Sequence, residues 1–325
     1  MKNLKNLTLA LLIIFGFNSC SDDDLSETRN FQTPVNIVQT AQSSDDLSIL
    51  VEAVIKADLV DALSASGQKT VFAPTNEAFM DFLQLKGFNS LDDVPTDVLQ
   101  QILLNHVIGD VSITSSSLSG NSGYTNTLAT GPNGANLSLY FNATNGVVLN
   151  DGVTVTVPDI GTSNGIVHIV NKVIDLPTIA TFATTNNALS TLVDALVYAD
   201  SGMPTVNYID TVSDSTAGPF TVFAPTNDAF TELLGDLGAT SFDDIGTATI
   251  DQVLLMHIVS GNIQSSGLPS GSVMTLNESI TADNMNFTLT DPNDRVSNII
   301  VSLVDIQAAN GVVHVIDKVI LPLQS

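Results

Sequence analysis

TVFAPTNEAF occupies residues 70–79, and TVFAPTNDAF occupies residues 221–230. The two decapeptides differ by a single Glu-to-Asp exchange, about 150 positions apart. Such a repeat marks either a shared catalytic motif or a shared folding motif. The residues favour a folding motif, because neither copy places a nucleophile beside a general base.

Each residue of the decapeptide has a predicted structural role. Residues 70–73, which begin at Thr70, are predicted to form a short strand whose Phe72 suits a core. Pro74 cannot donate to a strand ladder, so it ends the pairing. Thr75 can cap a helix that begins near Asn76. The second copy predicts the same roles for Thr221, Phe223, Pro225, Thr226 and Asn227.

The duplication extends well beyond the decapeptide. Residues 48–54 return as residues 190–196, and residues 98–106 return as residues 249–257. All four segments carry apolar residues at helical spacing and are predicted as helices. The second copy gains residues within 201–218, a stretch rich in Gly, Ser, Thr and Asp that is predicted as a longer surface loop.

Each copy ends in strand-like sequence. Asn-Gly-Ile-Val-His-Ile-Val at residues 164–170 returns as Asn-Gly-Val-Val-His-Val-Ile at residues 310–316, and Lys-Val-Ile follows both. Asn164, Gly165, Asn310 and Gly311 are interpreted as turn residues before a core strand. Runs rich in Val and Ile predict strands at 136–141, 147–149, 153–157 and 166–170.

Helices and strands are therefore segregated along each copy rather than alternating. This order indicates an α+β fold with a mostly antiparallel sheet. Two copies do not make a solenoid, so the sequence predicts two tandem globular domains, at residues 34–177 and 178–323.

The repeated motifs resemble those of the fasciclin-type (FAS1) domain. They are Thr-Val-Phe-Ala-Pro-Thr-Asn-x-Ala-Phe, then Leu-x-x-His about 25 residues later, then Asn-Gly-x-x-His-x-x-x-Lys-Val-Ile. The resemblance covers residues 34–177 and 178–323. It implies a wedge or sandwich of β-strands packed with several α-helices, and extracellular adhesion or matrix association, often as tandem domains on an anchored chain.

All four histidines lie in the repeated motifs, which invites a metal or acid–base interpretation. Zinc would need a third ligand, and Asp110, Asp159 and Asp305 do not stand at a recognisable ligand spacing. A Ser-His-Asp triad is not indicated either, because Gly-x-Ser-x-Gly is absent from the sequence. The alternative is a partly buried imidazole that hydrogen-bonds to backbone and fixes a helix end to a strand. We expect that structural role, without metal or cofactor, for His106, His168, His257 and His314.

The residue before the first histidine of each copy departs from the family pattern. Adhesive members often carry Tyr there, and the resemblance implicates their Tyr-His pair in binding. Here the position holds Asn105 in the first copy and Met256 in the second. The resemblance therefore does not carry an integrin-type contact onto this chain.

The N-terminus predicts a lipoprotein. Residues 1–19 read as a signal peptide, with Lys2 and Lys5 before an apolar run too short to span a bilayer. The run ends at Phe-Asn-Ser-Cys, which resembles a lipobox and makes Cys20 the predicted lipidation site; an ordinary secreted protein is the alternative. Residues 20–33 would form an acidic tether, in which residues 21–24 are either an export tag for the outer cell face or a solvated linker.

Charge excludes one class of partner. The chain has 34 acidic and 9 basic residues, a formal net charge of −25, and therefore repels nucleic acid. Asp-Pro-Asn-Asp at 291–294 reads as a turn, with weak Ca²⁺ binding as the alternative. Asp-Thr-Val at 210–212 and Asp-Ser-Thr at 214–216 resemble acceptor sites of some bacterial O-glycosylation systems.

Together these features predict a lipid-anchored, non-enzymatic cell-surface protein for adhesion or extracellular-matrix interaction. Its predicted location is the bacterial outer membrane, facing outward, with the periplasmic face as the alternative. Its partners would be the membrane, through Cys20, and an extracellular protein or glycan. The alternative function is an accessory lipoprotein that binds a glycan or a small apolar molecule. Function is expected in the variable segments, residues 112–135, 201–218 and 262–298.

Overall fold

The computed structural model describes residues 35–323, all of which belong to one compact unit. The predicted signal peptide, Cys20 and the acidic tether lie outside the described residues. Within residues 35–323, no helix is both long enough and apolar enough to cross a bilayer.

The first repeat contains six α-helices and seven strands among the described residues. The helices are α1 Ile37–Gln42, α2 Ser48–Lys56, α3 Val60–Ser64, α4 Asn76–Lys86, α5 Thr96–Leu104 and α6 Ser115–Leu118. The strands are β1 Lys69–Pro74, β2 Val107–Gly109, β3 Ser122–Thr130, β4 Asn136–Asn142, β5 Val148–Leu149, β6 Val153–Thr162 and β7 Gly165–Val170.

The second repeat follows the same order, with five α-helices and eight strands described. The helices are α7 Ile179–Thr185, α8 Ser190–Asp200, α9 Tyr208–Ser213, α10 Asn227–Leu237 and α11 Thr247–Leu255. The strands are β8 Phe220–Pro225, β9 Ile258–Ser260, β10 Gly271–Met274, β11 Ser279–Asp283, β12 Thr288–Thr290, β13 Val296–Asn298, β14 Ile306–Ala308 and β15 Gly311–Ile316.

The strands form one seven-stranded and two four-stranded sheets. Their orders are β2-β1-β7-β6-β5-β4-β3, β10-β11-β12-β13 and β14-β15-β8-β9. Most neighbours are antiparallel, but β1 runs parallel to β7 and β8 runs parallel to β15. The predicted α+β fold with a mostly antiparallel sheet is confirmed. In each repeat the parallel pair places the decapeptide strand beside the strand that carries the second histidine.

The helices bury one apolar face against these sheets, as the spacing of their apolar residues predicts. On α5, Leu99, Ile102 and Leu103 are buried, and on α11 so are Ile250 and the residues 253–255. Each repeat has one cluster in which helix residues pack against the sheet, and a second cluster formed mostly by strand residues.

The prediction of a surface loop over 201–218 is wrong in its central part. That segment contains helix α9, whose Tyr208 and Val212 are buried in the core of the second repeat. The Tyr208 hydroxyl donates to Oδ1 of Asp251 over 2.8 Å, and Oδ2 of Asp251 accepts from the Thr205 hydroxyl over 2.7 Å. The polar composition of the segment conceals these anchors, because only two of the six residues of α9, Tyr208 and Val212, are buried.

The two repeats meet along an interface that buries polar groups in pairs. Oγ of Ser138 on β4 accepts from the backbone N–H of Gln307 on β14 over 2.9 Å, and both residues are buried. Nearby, the side chain of Tyr124 packs edge-on against Phe182 with ring centroids 5.7 Å apart. The Tyr124 hydroxyl also accepts from the Asn186 amide over 3.1 Å. Because these contacts join both repeats, we expect the tandem to unfold as one unit.

Replacing Ser138 by Val tests this interface. The change removes the acceptor for Gln307 and leaves a buried N–H unpaired, which costs about 1–3 kcal/mol. We expect a melting temperature several degrees lower by calorimetry, or a transition that separates into two. Ser279→Val is the control, because Ser279 is an exposed serine at the start of strand β11. Equal effects of the two changes would contradict a coupled interface.

Candidate functional site

The decapeptide forms a corner between a core strand and a helix in each repeat. The buried Thr70 hydroxyl donates to the carbonyl of Val111 over 2.9 Å and accepts from the N–H of Ile113 over 2.8 Å. Pro74 ends β1, and the Thr75 side chain caps α4 by accepting from the N–H of Ala78. The second repeat has the same contacts at Thr221, Pro225 and Thr226.

The Asn that follows ties this corner to the preceding helix. Oδ1 of Asn76 accepts from the N–H of Ile49, and its amide donates to the carbonyl of Asp45. Asn227 makes the same pair of contacts with Thr191 and Asn187. The last residues of the shared motif therefore hold α4 against α2, and α10 against α8.

The first histidine of each repeat joins a helix end to the segment after the last strand. Nδ1–H of His106 donates to the carbonyl of Ile102 over 2.7 Å, and Nε2 accepts from the N–H of Ile174 over 2.8 Å. His257 makes the equivalent bonds to Val253 and Ile320. Burial lowers the pKa of His106 and of His257 to about 4, so both rings are neutral.

The second histidine of each repeat carries its proton on the other nitrogen. Nε2–H of His168 donates to the carbonyl of Ile113 over 2.9 Å, and Nδ1 accepts from the N–H of Asp159 over 3.1 Å. His314 repeats this with Ile263 and Asp305. Burial lowers the pKa of both rings. The aromatic ring of the decapeptide stacks on each, Phe72 on His168 and Phe223 on His314.

These bonds leave the histidines little chemistry to perform. Both nitrogens of each ring pair with backbone, so a general base would have to break a buried hydrogen bond first. The rings are more buried than the sequence predicts, since all four are fully enclosed rather than partly so.

An aspartate lies near the second histidine without forming a catalytic triad. Oδ1 of Asp159 is 3.9 Å from Nδ1 of His168, but the carboxylate accepts from the N–H and the hydroxyl of Ser115. Asp305 accepts from Ser265 in the same way. The serine therefore bonds to the carboxylate rather than to the imidazole, the reverse of the triad order. Within residues 35–323, no three His, Cys, Asp or Glu side chains are grouped so that they could hold a metal ion.

The Asn-Gly pair does more than form a turn. Oδ1 of Asn164 accepts from the N–H of Ile37, and its amide donates to the carbonyls of Leu63 and Ala65. Asn310 repeats these contacts with Ile179, Val212 and Asp214. A Cβ on Gly165 would lie inside the backbone of Lys69, and one on Gly311 inside the backbone of Phe220. The pair therefore joins the first helix, the third helix and β1, or their equivalents in the second repeat.

Comparison with known proteins identifies the family. The model of the Fasciclin domain matches residues 45–177 and residues 187–322. The chain belongs to the fasciclin-domain family.

Relatives of this fasciclin protein include bacterial proteins. Protein sll1483 of Synechocystis sp. (strain ATCC 27184 / PCC 6803 / Kazusa) is 36% identical over 145 residues, which are 45% of this chain and 73% of that protein. The cell surface glycolipoprotein MPB83 of Mycobacterium bovis (strain BCG / Tokyo 172 / ATCC 35737 / TMC 1019) is 33% identical over 150 residues, or 44% of this chain and 60% of that one.

A solved structure shares the arrangement of two fasciclin domains. The FAS1 domain pair from the insect cell adhesion molecule fasciclin I matches with a TM-score of 0.52 and 19% identity. The match covers 86% of this chain and 97% of the insect chain. At this identity the likeness establishes the fold alone.

The position before the first histidine is internal in both fasciclin domains. The amide of Asn105 donates to the carbonyl of Asp175 over 2.8 Å, and its Oδ1 accepts from the Thr127 hydroxyl over 3.1 Å. Met256 is also fully buried, with its sulfur 3.9 Å from the Thr275 hydroxyl. Both side chains are buried and therefore offer no surface to a binding partner.

Two further kinds of candidate site came from the sequence, the possible Ca²⁺-binding turn at residues 291–294 and the two sites that resemble O-glycosylation acceptors. Both oxygens of the Asp291 carboxylate accept backbone N–H groups, from Asn293 and Arg295 on one oxygen and from Leu321 on the other. Of the two acceptor-like sites, residues 214–216 are exposed, whereas residues 210–212 lie in α9 with Val212 buried.

Proposed function

We propose that the chain is a lipid-anchored, non-enzymatic protein of the bacterial cell surface that acts in adhesion or extracellular-matrix interaction. Its two fasciclin domains would stand on the short acidic tether of residues 20–33. The observation that supports this most is that the polar side chains of the recurring motifs, those of Thr, Asn and His, hydrogen-bond within the framework of each domain. With the histidines paired to backbone and neutral, the repeated residues fit a scaffold better than an active site.

Charge and relatives narrow the partner. A formal net charge of −25 disfavours nucleic acid and anionic headgroups, so an extracellular protein or a glycan is the proposed partner. One relative has the name of a cell surface glycolipoprotein, and the matching domain pair comes from a cell adhesion molecule. These names favour a surface role, and the interface at Ser138 and Gln307 would give the partner a single rigid body to bind.

Protease shaving of intact cells tests the location. We expect external protease to remove this chain while a periplasmic control protein survives. Cys20→Ala is expected to release the chain into the soluble fraction, because acyl chains at Cys20 would supply the membrane attachment. Full protection from protease would indicate that the anchored chain faces the periplasm. It would favour the alternative, an envelope lipoprotein that binds a ligand there.

A further inference from the structure

The methionines of the described chain lie mostly on its surface. Of the five methionines among residues 35–323, four have side chains that are more than half exposed. They are Met80 at 55%, Met203 at 99%, Met274 at 65% and Met285 at 85%. Most leucines in the same part of the chain are buried, although both residue types are ordinarily among the most buried. Packing of the core therefore does not account for these four methionines.

The fold does not depend on a thioether at three of these positions. Met80 lies on α4, directly after the decapeptide, and the second repeat has the exposed Thr231 at the equivalent position of α10. Met285 lies in the turn between β11 and β12, where its backbone N–H donates to Oδ1 of Asp283 over 2.9 Å. Met203 lies between α8 and α9, with its side chain almost entirely in water. A polar side chain would be accommodated at each of these positions.

The fourth exposed methionine, Met274, has a hydrogen-bond donor beside its sulfur. Met274 ends β10 opposite Ser279 on β11, and the Ser279 hydroxyl lies 3.8 Å from the sulfur. A thioether sulfur is a weak acceptor, whereas a sulfoxide is a polar group whose oxygen accepts readily. Oxidation at Met274 would therefore give the Ser279 hydroxyl a better acceptor.

Met256 is the contrasting case among the described methionines. Its side chain is completely buried, in an apolar cluster with Phe223, Val259 and Leu289. A sulfoxide there would place a polar oxygen in the core and disrupt its packing. An oxidant reaches this sulfur only when the surrounding structure opens. The fold thus encloses the methionine whose oxidation would damage it and exposes those whose oxidation it tolerates.

We propose that Met80, Met203, Met274 and Met285 are sites of oxidation to methionine sulfoxide by hydrogen peroxide, and that they consume this oxidant without loss of the fold. In each step the thioether sulfur attacks one oxygen of the peroxide, so that an S–O bond forms and the O–O bond breaks. The proton of the transferred hydroxyl passes to the departing hydroxide, which leaves as water. The sulfur is oxidised by two electrons, and the peroxide is reduced by the same two.

The composition makes these thioethers the main oxidisable groups. The sequence contains no Trp and a single cysteine, the predicted lipidation site Cys20. This role goes beyond the proposed adhesive function and does not rest on it.

Treatment of the purified full chain with hydrogen peroxide, followed by peptide mass mapping, tests the proposal. We expect sulfoxide at all four exposed methionines while the melting temperature stays that of the untreated chain. Met256 should react at least about a hundredfold more slowly, because its sulfur becomes accessible only on opening. Oxidation of Met256 as fast as that of Met203 would overturn the proposal. So would a melting temperature that falls as the four exposed sites are oxidised.

Two variants separate the exposed sites from the buried one. The first is a quadruple variant that replaces each exposed methionine by leucine: Met80→Leu, Met203→Leu, Met274→Leu and Met285→Leu. The natural chain should consume four more equivalents of peroxide than this variant, one for each exposed thioether. The matched control, Met256→Leu, should consume as much as the natural chain while both are folded. If the quadruple variant consumed as much peroxide as the natural chain, the exposed methionines would not be its targets and the proposal would fail.

Discussion

Alanine at Gly165, in the first fasciclin domain, or at Gly311, in the second, is expected to destabilise the coupled tandem severely. An added Cβ on Gly165 would clash with the Lys69 backbone, overlapping its carbonyl oxygen and lying 2.9 Å from its nitrogen. Because β1 and β7 are paired in parallel through this region, neither backbone can move aside without breaking the ladder. We expect a loss of more than about 4 kcal/mol, which exceeds most single substitutions. Chemical denaturation of each purified variant measures it.

Gly161→Ala provides the control for this prediction. Gly161 lies on the neighbouring strand β6, paired with Ile166, and a Cβ there would meet nothing within 4 Å. We expect a change within about 0.5 kcal/mol. If Gly165→Ala lowered the free energy of unfolding as little as Gly161→Ala does, the close approach to Lys69 would not be the reason that position 165 requires glycine.

Acidification from pH 6.5 to pH 4 is expected to lower the free energy of unfolding by about 3 kcal/mol for His106 and by about the same amount for His257. The pKa of His106 and of His257 is about 4 in the folded protein, against 6.5 for the free side chain. Between these values the unfolded chain binds more protons, so the free energy of unfolding falls as the pH falls. The stabilisation that each neutral, buried ring provides is complete above pH 6.5, and most of it is lost by pH 4. Each unit of difference between the folded and the unfolded pKa corresponds to about 1.4 kcal/mol. Urea denaturation at half-unit intervals of pH measures the slope.

The double variant His106→Gln and His257→Gln separates this effect from that of the carboxylates. It should be less stable at pH 7, because the N–H groups of Ile174 and Ile320 lose their acceptors. Its stability should then change much less between pH 6.5 and 4 than that of the natural chain. An unchanged slope would show that the histidines do not cause the acid sensitivity.

The sequence predicts what depends on local chemistry. The cap at Thr75, the strand end at Pro74 and the buried face of α5 follow from rules that act within a few residues. Strands β4, β5 and β7 begin and end within about one residue of the predicted bounds. The fold class can be predicted from the family resemblance, because two ordered motifs each occur twice in the sequence.

The rest depends on contacts between distant segments, which a single sequence does not show. The hydrogen bond from the N–H of Ile37 to Oδ1 of Asn164 spans 127 positions, and position 165 requires glycine because the backbone of Lys69 lies so close to it. The interface between the domains rests on Ser138, a residue that no motif singles out.

Histidine NMR tests the central claim, that the recurring motif residues are framework rather than site. Long-range ¹⁵N–¹H spectra of the labelled chain between pH 7.5 and 5 report the tautomer and pKa of each ring. The account predicts predominantly neutral rings for His106 and His257 throughout this range, with the proton on Nδ1. At pH 7.5 it also predicts neutral rings for His168 and His314, with the proton on Nε2 and a pKa below that of a free imidazole. A ring that titrates near pH 6.5, or that exchanges between tautomers, would be accessible to solvent and ligands and would contradict it.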